Sequence, residues 1–390
     1  MEASLYVHVP FCAGACGYCD FYSVTADPSD PRLECFVDRI LADARRLFRA
    51  YKPRALPTLY IGGGTPSVLG AAGIRRLLIG LLHTISHYAP PPAEITVEAN
   101  PESADEAFLA AACEGGATRL SLGVQSFHAP SRRAAGRVGA DLAGETLRRR
   151  LALAGEYFPG AFSGDLMSGL PFQNERILMD DIDALLCAKP AHVSLYALTL
   201  EPETPLARAD AETRLFPPPD EADRLWICGR DVLERSGFSQ YEVSNFCLPG
   251  KESRHNIRYW RMQNWLALGP AASGTIIADE TARGVRWTVP TDADAWLADT
   301  AAAGAREKLD SVTLIKETIL MGFRHIEGPD EALFRRRFRR GIESYIPDTI
   351  GAWRRRGLAQ DGKIALTRDG LVFLNAFLVD AFREMDSSPP

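Results

Sequence analysis

Short runs of apolar and β-branched residues recur along the first half of the chain, and a stretch with helical periodicity follows each of them. The runs lie at residues 5–9, 58–61, 94–99, 119–124, 164–167 and 192–198. Most of them end at Gly, Pro or Asn, which is typical of buried strands. The first helical stretch places Leu33, Phe36, Val37 and Ile40 on one face, at the spacing of an amphipathic helix. We therefore expect six strand–helix units in succession.

Alternating strands and helices build a parallel sheet with helices on its outer face, closed or partly closed like a barrel. In such an α/β fold, the loops that follow the carboxyl ends of the strands form the active face. The pattern therefore predicts functional residues just after the strands. The helix after the third strand is expected to begin at Ser103, with Glu106 as its capping-box partner.

The last part of the chain is mostly helical in its pattern. Ile315, Ile319, Leu320 and Phe323 form one stripe, and residues 363–370 are expected to form a strand and turn before a final helix over 371–383. We predict a core over residues 1–240, a connecting region over 241–304 and a smaller helical domain over 305–390. Arginine triplets at 335–337 and 354–356 could bind nucleic acid, although solvated helix faces explain them better.

The composition narrows the classes of function. Among 390 residues, 46% are hydrophobic and 24% charged, as in ordinary globular proteins, and the net charge of −6 gives no overall attraction to nucleic acid. We recognise neither a secretory signal nor an apolar run of about 20 residues, so we expect a cytoplasmic protein without a transmembrane segment. The cysteines are then expected to be reduced thiols.

Three cysteines follow the first predicted strand directly, in the spacing C-x3-C-x2-C. Cys12, Cys16 and Cys19 lie on a loop with two glycines, so their thiolates can converge on a soft metal centre. Zinc sites and iron–sulfur cubanes usually take four protein ligands, and only three cysteines are near. A cubane held by three would leave one iron open for a substrate. A structural zinc site or three unrelated thiols is the alternative interpretation.

Glycine and polar residues follow the other predicted strands. Gly62, Gly63, Gly64 and Thr65 follow the second strand, where a glycine loop lets the backbone approach a ligand, although such triplets are more often tight turns. Four further candidates lie at or after the third, fourth and fifth strands: Glu98, Gln125, Arg137 and Asp165. A carboxylate can bind a ribose diol, and a guanidinium suits a carboxylate. Each residue alone could be a solvated cap, but successive strand ends of one barrel predict a ligand site.

Together these segments resemble the radical S-adenosylmethionine (SAM) superfamily and, within it, the oxygen-independent coproporphyrinogen III oxidase family. Residues 196–202, 240–246 and 255–260 are similar to that family as well. The resemblance implies a radical SAM partial (β/α)6 barrel with a smaller, mostly helical, winged-helix-like C-terminal domain. It also implies a [4Fe-4S] cluster on Cys12, Cys16 and Cys19. SAM would lie on the glycine loop and the strand-end residues, with Arg137 facing its carboxylate.

Three features resemble the heme-chaperone branch of this family rather than its oxidases. In this resemblance the oxidases have the cysteine pattern C-x3-C-x2-C-x-C, whereas this chain has Phe21 at the position of the last cysteine. They also carry a long N-terminal arm, whereas Cys12 lies close to the start of this chain. Finally, His255-Asn-x-x-Tyr259-Trp260 is similar to the heme-binding motif of the chaperones. A neutral His255 would bind heme iron; the alternative is a hydrogen-bonded histidine in the core.

The resemblance thus implies a chaperone that binds a [4Fe-4S] cluster, SAM and heme and delivers heme to haemoproteins, with respiratory haemoproteins as candidates. The alternative is an enzyme that decarboxylates the propionates of coproporphyrinogen III. A nucleic-acid-binding protein is a third hypothesis, and salt-dependent binding would test it. No catalytic residue is assigned, and whether the protein is an enzyme stays open.

Overall fold

The computed structural model describes residues 1–202, 204–208, 215–301 and 304–387. Its first strands are β1 Ser4–Val9, β2 Phe11–Cys12, β3 Val24–Thr25, β4 Thr58–Gly63, β5 Glu94–Ala99, β6 Arg119–Gln125, β7 Phe162–Ser168 and β8 His192–Ala197. The later strands are β9 Ser239–Gln240, β10 Asn245–Cys247, β11 Trp265–Leu268, β12 Ser273–Ala278, β13 Arg283–Thr288 and β14 Ala305–Leu309.

The helices fall into a set between the barrel strands and a set after them. The first set is α1 Arg32–Tyr51, α2 Gly70–Ser86, α3 Glu106–Glu114, α4 Ala129–Ala134, α5 Gly144–Tyr157, α6 Glu175–Leu186 and α7 Pro219–Arg235. The second set is α8 Arg254–Trp260, α9 Ala293–Leu297, α10 Ser311–Gly322, α11 Glu331–Phe338, α12 Pro347–Arg355, α13 Arg368–Val372 and α14 Leu374–Ser387. Short 3-10 turns lie at Pro66–Leu69 and Ile342–Ser344.

Twelve of the strands form one sheet, in which the seven strands from β11 through β1 and β4 to β8 are parallel. The six predicted strands are β1 and β4–β8, and each pairs with the next one along the chain. In the described part of the chain β1 and β8 do not pair, because β11 and β10 add to them on either side. The prediction of a partial six-unit α/β barrel is confirmed.

The barrel strands alternate between apolar side chains that face the helices and polar side chains that face the inside. On β5, Ile95 and Val97 belong to the hydrophobic core, whereas Glu94, Thr96 and Glu98 project from the other face. The alternation follows from the two-residue period of a strand. The inside of the barrel is therefore polar and can receive a polar ligand.

Antiparallel strands β12, β13 and β14 extend the sheet beyond β11. One face of this extension packs on α10, where Arg286 donates to both carboxylate oxygens of Glu317 at 2.9 and 2.6 Å. The sheet therefore runs across residues 240 and 304, since β9 and β14 both belong to it. The predicted division at these two positions stays a prediction.

The C-terminal helices α10–α14 enclose a second hydrophobic core. The ring of Phe377 lies 4.4 Å from that of Phe323 and 5.2 Å from that of Trp353, measured between centroids. The prediction of a mostly helical C-terminal region is confirmed. The strand predicted within 363–370 is wrong, because only a single bridge joins Ala359 to Leu366 and α13 begins at Arg368.

Asp105, rather than Ser103, caps helix α3. The Asp105 carboxylate accepts the Phe108 N–H at 2.8 Å, as an N-cap side chain does. The Ser103 hydroxyl lies 2.7 Å from the hydroxyl of Ser67 in the loop after β4. The predicted capping box is therefore wrong, because a contact between two loops occupies the serine.

The helical stretch Pro66–Ser86 is long and apolar enough to cross a membrane, judged by length and composition alone, with a mean hydropathy of 1.5. Arg75 and Arg76 interrupt its apolar residues, and the expectation of a chain without a transmembrane segment stays a prediction. Leu77, Leu78 and Leu81 of this stretch are buried in the core of the barrel. A core helix satisfies the same two criteria.

Candidate functional site

A cavity of about 490 Å³ lies at the carboxyl ends of the barrel strands, beside the cysteine loop. Its lining includes ten of the predicted site residues: Cys12, Cys16, Cys19, Gly63, Gly64, Thr65, Glu98, Gln125, Arg137 and Asp165. Gly62 and His255 are not among the lining residues. The structure thus gathers most of the predicted site at the end of the barrel where such folds place their ligands.

The cysteine loop presents its sulfurs to this cavity with hydrogen-bond partners already in place. The Thr65 hydroxyl lies 3.0 Å from Cys12 Sγ. Arg137 Nη1 and the Val138 backbone N–H each donate to Cys16 Sγ at 3.4 Å. Such contacts orient the two sulfurs, as the outer contacts of metal ligands do.

The chemistry of the donor set fits a cubane. Three cysteines line one cavity, and the loop that carries them supplies no fourth cysteine. In a cubane each cysteine can bind a different iron, and three protein ligands would leave one iron open toward the cavity. Among the described residues, no three His, Cys, Asp or Glu side chains gather closely enough to hold one metal ion. The assignment of a cluster to these three cysteines stays a prediction.

The glycine loop is shaped by packing as well as by access to a ligand. Gly63 has φ +113°, and a Cβ on Gly64 would lie 2.6 Å from the carbonyl oxygen of Phe11. Both amides already have partners: Gly63 donates to Glu98 Oε2 at 3.1 Å, and Gly64 donates to the Val9 carbonyl at 2.8 Å. The predicted role of this loop in holding SAM stays a prediction, and it would not use these two amides.

Glu98 lines the cavity at the end of β5. Its carboxylate accepts the Tyr60 hydroxyl at 2.5 Å as well as the Gly63 amide. Burial raises the pKa of Glu98 to about 7, against the lowering effect of the Tyr60 hydrogen bond. The carboxylate oxygens keep lone pairs for further donors, so a diol could still bind there.

Gln125 ends strand β6, and Asp165 lies in the middle of strand β7. The Ser121 hydroxyl donates to Asp165 at 3.1 Å, and burial raises the pKa of this carboxyl. Gln125 has φ +68° at a break in the register between β6 and β7. A left-handed backbone at a non-glycine residue is uncommon, and it recurs at ligand sites. Both residues therefore stay candidates for ligand contact.

Arg137 is buried, and the protein itself occupies much of its guanidinium. Besides Cys16, it donates through Nη2 to Asn100 Oδ1 at 2.9 Å and to the Gly123 carbonyl at 2.8 Å. Its predicted contact with the SAM carboxylate stays a prediction. Asn100 also donates to the Thr65 hydroxyl at 3.0 Å and lines the cavity, but it was not among the predicted residues. The sequence feature that could have identified Asn100 is its position directly after strand β5.

His255 lies at the amino end of the barrel, on helix α8. Its Nδ1 is 2.8 Å from the Thr58 hydroxyl, and its ring centroid is 4.9 Å from those of Tyr60 and Tyr259. Glu94 holds the start of α8 by accepting the Arg254 and His255 amides at 3.0 and 2.9 Å.

The His255 side chain is only 1% exposed, and burial lowers its pKa to about 3, so the imidazole is neutral. Within the described residues its Nε2 has no hydrogen-bond partner. An unpaired buried nitrogen is costly and uncommon. The role of His255 as a heme ligand stays a prediction. Its imidazole keeps one nitrogen, Nε2, without a partner, and this atom carries either a free lone pair or a free N–H.

The sequence model of the radical SAM superfamily matches residues 6–185. A mouse protein described as "radical S-adenosyl methionine domain-containing protein 1, mitochondrial" is 36% identical over 330 residues, which cover 83% of this chain and 73% of that protein. The heme chaperone HemW of Lactococcus lactis is 32% identical over 352 residues, covering 89% and 88% of the two chains. The Escherichia coli heme chaperone HemW is 34% identical over 278 residues, covering 70% of each.

Among solved structures, coproporphyrinogen III oxidase (HemN) from Escherichia coli matches with a TM-score of 0.77 at 20% identity. The match covers 97% of this chain and 90% of that one. At this level of identity the likeness concerns the fold alone. It extends beyond the barrel to the helical C-terminal part.

Proposed function

The chain belongs to the radical SAM superfamily and, within it, to the family of the HemW heme chaperones, and on this premise we propose that it binds heme and delivers it to a haemoprotein. The observation that carries the heme proposal is the buried, neutral His255 imidazole with an unpartnered Nε2. The proposal includes delivery in the cytoplasm, with a respiratory haemoprotein as acceptor. These two points rest on the family resemblance.

A [4Fe-4S] cluster and SAM are implied by the superfamily, and Cys12, Cys16 and Cys19 are the residues that would hold the cluster. When bound there, such a cluster would supply an electron to SAM. The chain contributes the surroundings: Thr65 and Arg137 hold the sulfurs in place.

In the proposed SAM site, Glu98 accepts the ribose hydroxyls, and its carboxylate is held in position by the Tyr60 hydroxyl and the Gly63 amide. Asp165, Gln125 and Asn100 supply further polar groups along the same wall. A rigidly held carboxylate accepts a diol with little loss of side-chain entropy.

Heme can reach His255 only if helix α8, which carries this residue, leaves the amino end of the barrel, because the ring is buried between the helix and strand β4. Two backbone amides bound to Glu94 hold the helix there. We propose that α8 opens during heme loading and that His255 Nε2 then binds the iron. The ring of Tyr259, on the same helix, lies against the imidazole and can cover one side of the macrocycle.

An anaerobic titration of the reconstituted protein with heme tests this proposal. His255→Ala is expected to weaken heme binding about tenfold or more while the iron and sulfide content stays that of the wild type. Tyr259→Phe serves as a conservative control, because it keeps the ring beside His255. Unchanged heme affinity in His255→Ala would contradict the assignment. Porphyrin formation from coproporphyrinogen III with SAM and a reductant, without oxygen, would favour the oxidase alternative.

A further inference from the structure

The outer face of strands β12–β14 forms a groove of about 560 Å³, separate from the barrel cavity. In the described part of the chain, α10 covers only the opposite face of these strands, through the Arg286–Glu317 ion pair. An adjoining hollow of about 490 Å³ shares Tyr51 and Arg306 with the groove. Volumes of this size are typical of sites for small organic ligands, at about 300–1,000 Å³.

The strand register gives this face an apolar floor. Ile276 lies opposite Val285, and both line the groove. Val285 is 36% exposed, which is unusual for a β-branched apolar residue inside a sheet. At one end, the Trp287 ring stacks on Tyr51 with 5.2 Å between centroids and an interplanar angle of 15°. This stacked pair makes a flat, rigid wall.

Cationic side chains border the same floor. Lys308 lies opposite Val285 and Arg306 lies opposite Trp287, so both project from the groove face, and Arg283 also lines the groove. Within the described residues none of the three forms an ion pair, although the chain as a whole carries a net charge of −6. Glu307 also lines the groove, but its carboxylate lies 3.9 Å from Arg286 of the opposite face.

We propose that this groove is a second tetrapyrrole site, at which the apolar ring lies on Ile276 and Val285 against the Tyr51–Trp287 pair. The two carboxylates of the tetrapyrrole then face Arg306 and Lys308, which supply the positive charge that a dianionic ligand needs. The choice of heme as the tetrapyrrole rests on the proposed function, in which heme is the cargo. The exposed groove can exchange heme without unfolding any helix, unlike His255.

The edge of the sheet argues against a protein strand as the occupant. β14 presents Arg306, Glu307 and Lys308 in succession, and consecutive charges on an edge strand oppose pairing with another strand. A flat ligand on the face of the sheet does not need hydrogen bonds with the backbone groups at the free edge of β14. The charge pattern of the face and that of the edge are therefore both consistent with a small anionic ligand.

Counting heme equivalents tests the proposal, using reconstituted full-length protein under anaerobic conditions. The variants are His255→Ala, the double variant Arg306→Glu with Lys308→Glu, and their combination. Arg149→Glu with Arg355→Glu is the matched control, because it changes the charge equally at exposed positions that do not line the groove. Sedimentation of each variant is measured in parallel.

We expect two equivalents for the wild type and the matched control, one for His255→Ala, one for the groove double variant and none for the combination. Loss of one equivalent in the groove variant alone supports the groove even if His255→Ala keeps both. A single wild-type equivalent that is lost only in His255→Ala overturns the groove proposal and leaves the proposed function intact. No heme binding by the wild type overturns both. A wild-type dimer that dissociates in the groove variant would assign the groove to a second copy of the chain instead.

Discussion

The two ends of the barrel carry similar side chains but differ in access. At the carboxyl end, Glu98 and Asp165 line an open cavity beside the cysteine loop. At the amino end, Glu94 and the His255 side chain of helix α8 are buried between that helix and the barrel. A ligand can enter the first without a change of fold, whereas the second must open. The amino end can thus act as a site only in a minor conformation, whose population sets its apparent affinity.

One side chain joins the two ends. Tyr60 donates its hydroxyl to Glu98, and its ring lies 4.9 Å from that of His255. A ligand that moves Glu98 could therefore shift the Tyr60 ring, and with it the packing of His255. Substitutions at each end and at Tyr60 can therefore show whether the two sites are independent or coupled.

The largest effect is expected at the carboxyl end, from the cysteines. Replacing Cys16 by Ala should abolish the cluster, because a cubane that already lacks a fourth protein ligand cannot lose another. Iron and sulfide analysis after anaerobic reconstitution measures this. Cys187→Ala is the matched control, since Cys187 is an exposed single cysteine. Full cluster content in Cys16→Ala would contradict the assignment of the ligands.

At the amino end, Glu94→Gln should lower the free energy of unfolding by about 1–2 kcal/mol, because a neutral amide replaces the buried carboxylate that binds the two amides of α8. Heme should also bind faster, since α8 opens more often. Denaturant unfolding and stopped-flow heme binding measure the two quantities. Glu114→Gln, in an exposed pair with Arg75, is the control. Slower heme binding in Glu94→Gln would contradict the opening of α8.

The carboxyl end could be predicted from the sequence because its signals are local. The spacing of the cysteines and the residues after each apolar run can be recognised in the local sequence, without knowing which residues meet in the fold. The amino end could not, because the role of Glu94 depends on amides 160 residues later in the chain. A signal existed: buried parallel strands are usually apolar throughout, and the polar residues inside β5 indicate a polar barrel interior.

The wrong prediction of the cap of helix α3 has the same physical origin. Ser103 and Asp105 are both good N-caps, and only the contact of Ser103 with Ser67 decides between them. Strands β12 and β13 lie in the predicted connecting region and β14 lies at the start of the predicted helical domain, and the pairing of these strands is specified by their partners rather than by strong alternation. Sequence patterns determine which elements form more reliably than which elements meet.

A tenfold effect is expected from Glu98→Gln at the open end. The pKa of Glu98 is raised to about 7 by burial, and the charged form accepts ribose hydroxyls more strongly. SAM affinity should therefore rise as pH increases through about 7 and level off above it. In Glu98→Gln the profile should be flat and the affinity at high pH about tenfold lower. Equilibrium dialysis with SAM measures this, with the exposed Glu106→Gln as control. A profile that stays pH-dependent in the Gln variant would contradict the role of Glu98.

The smallest effect is expected from Tyr60→Phe, and this variant tests most directly whether the two ends of the barrel are independent. Loss of the hydroxyl removes a hydrogen bond that lowers the pKa of Glu98, so the midpoint of SAM binding should move to higher pH. At pH 7 the SAM affinity should fall about two- to fivefold. The ring stays against His255, so heme affinity should not change if the ends are independent. A parallel loss of heme affinity would instead show that Tyr60 couples them, because only its hydroxyl has been altered.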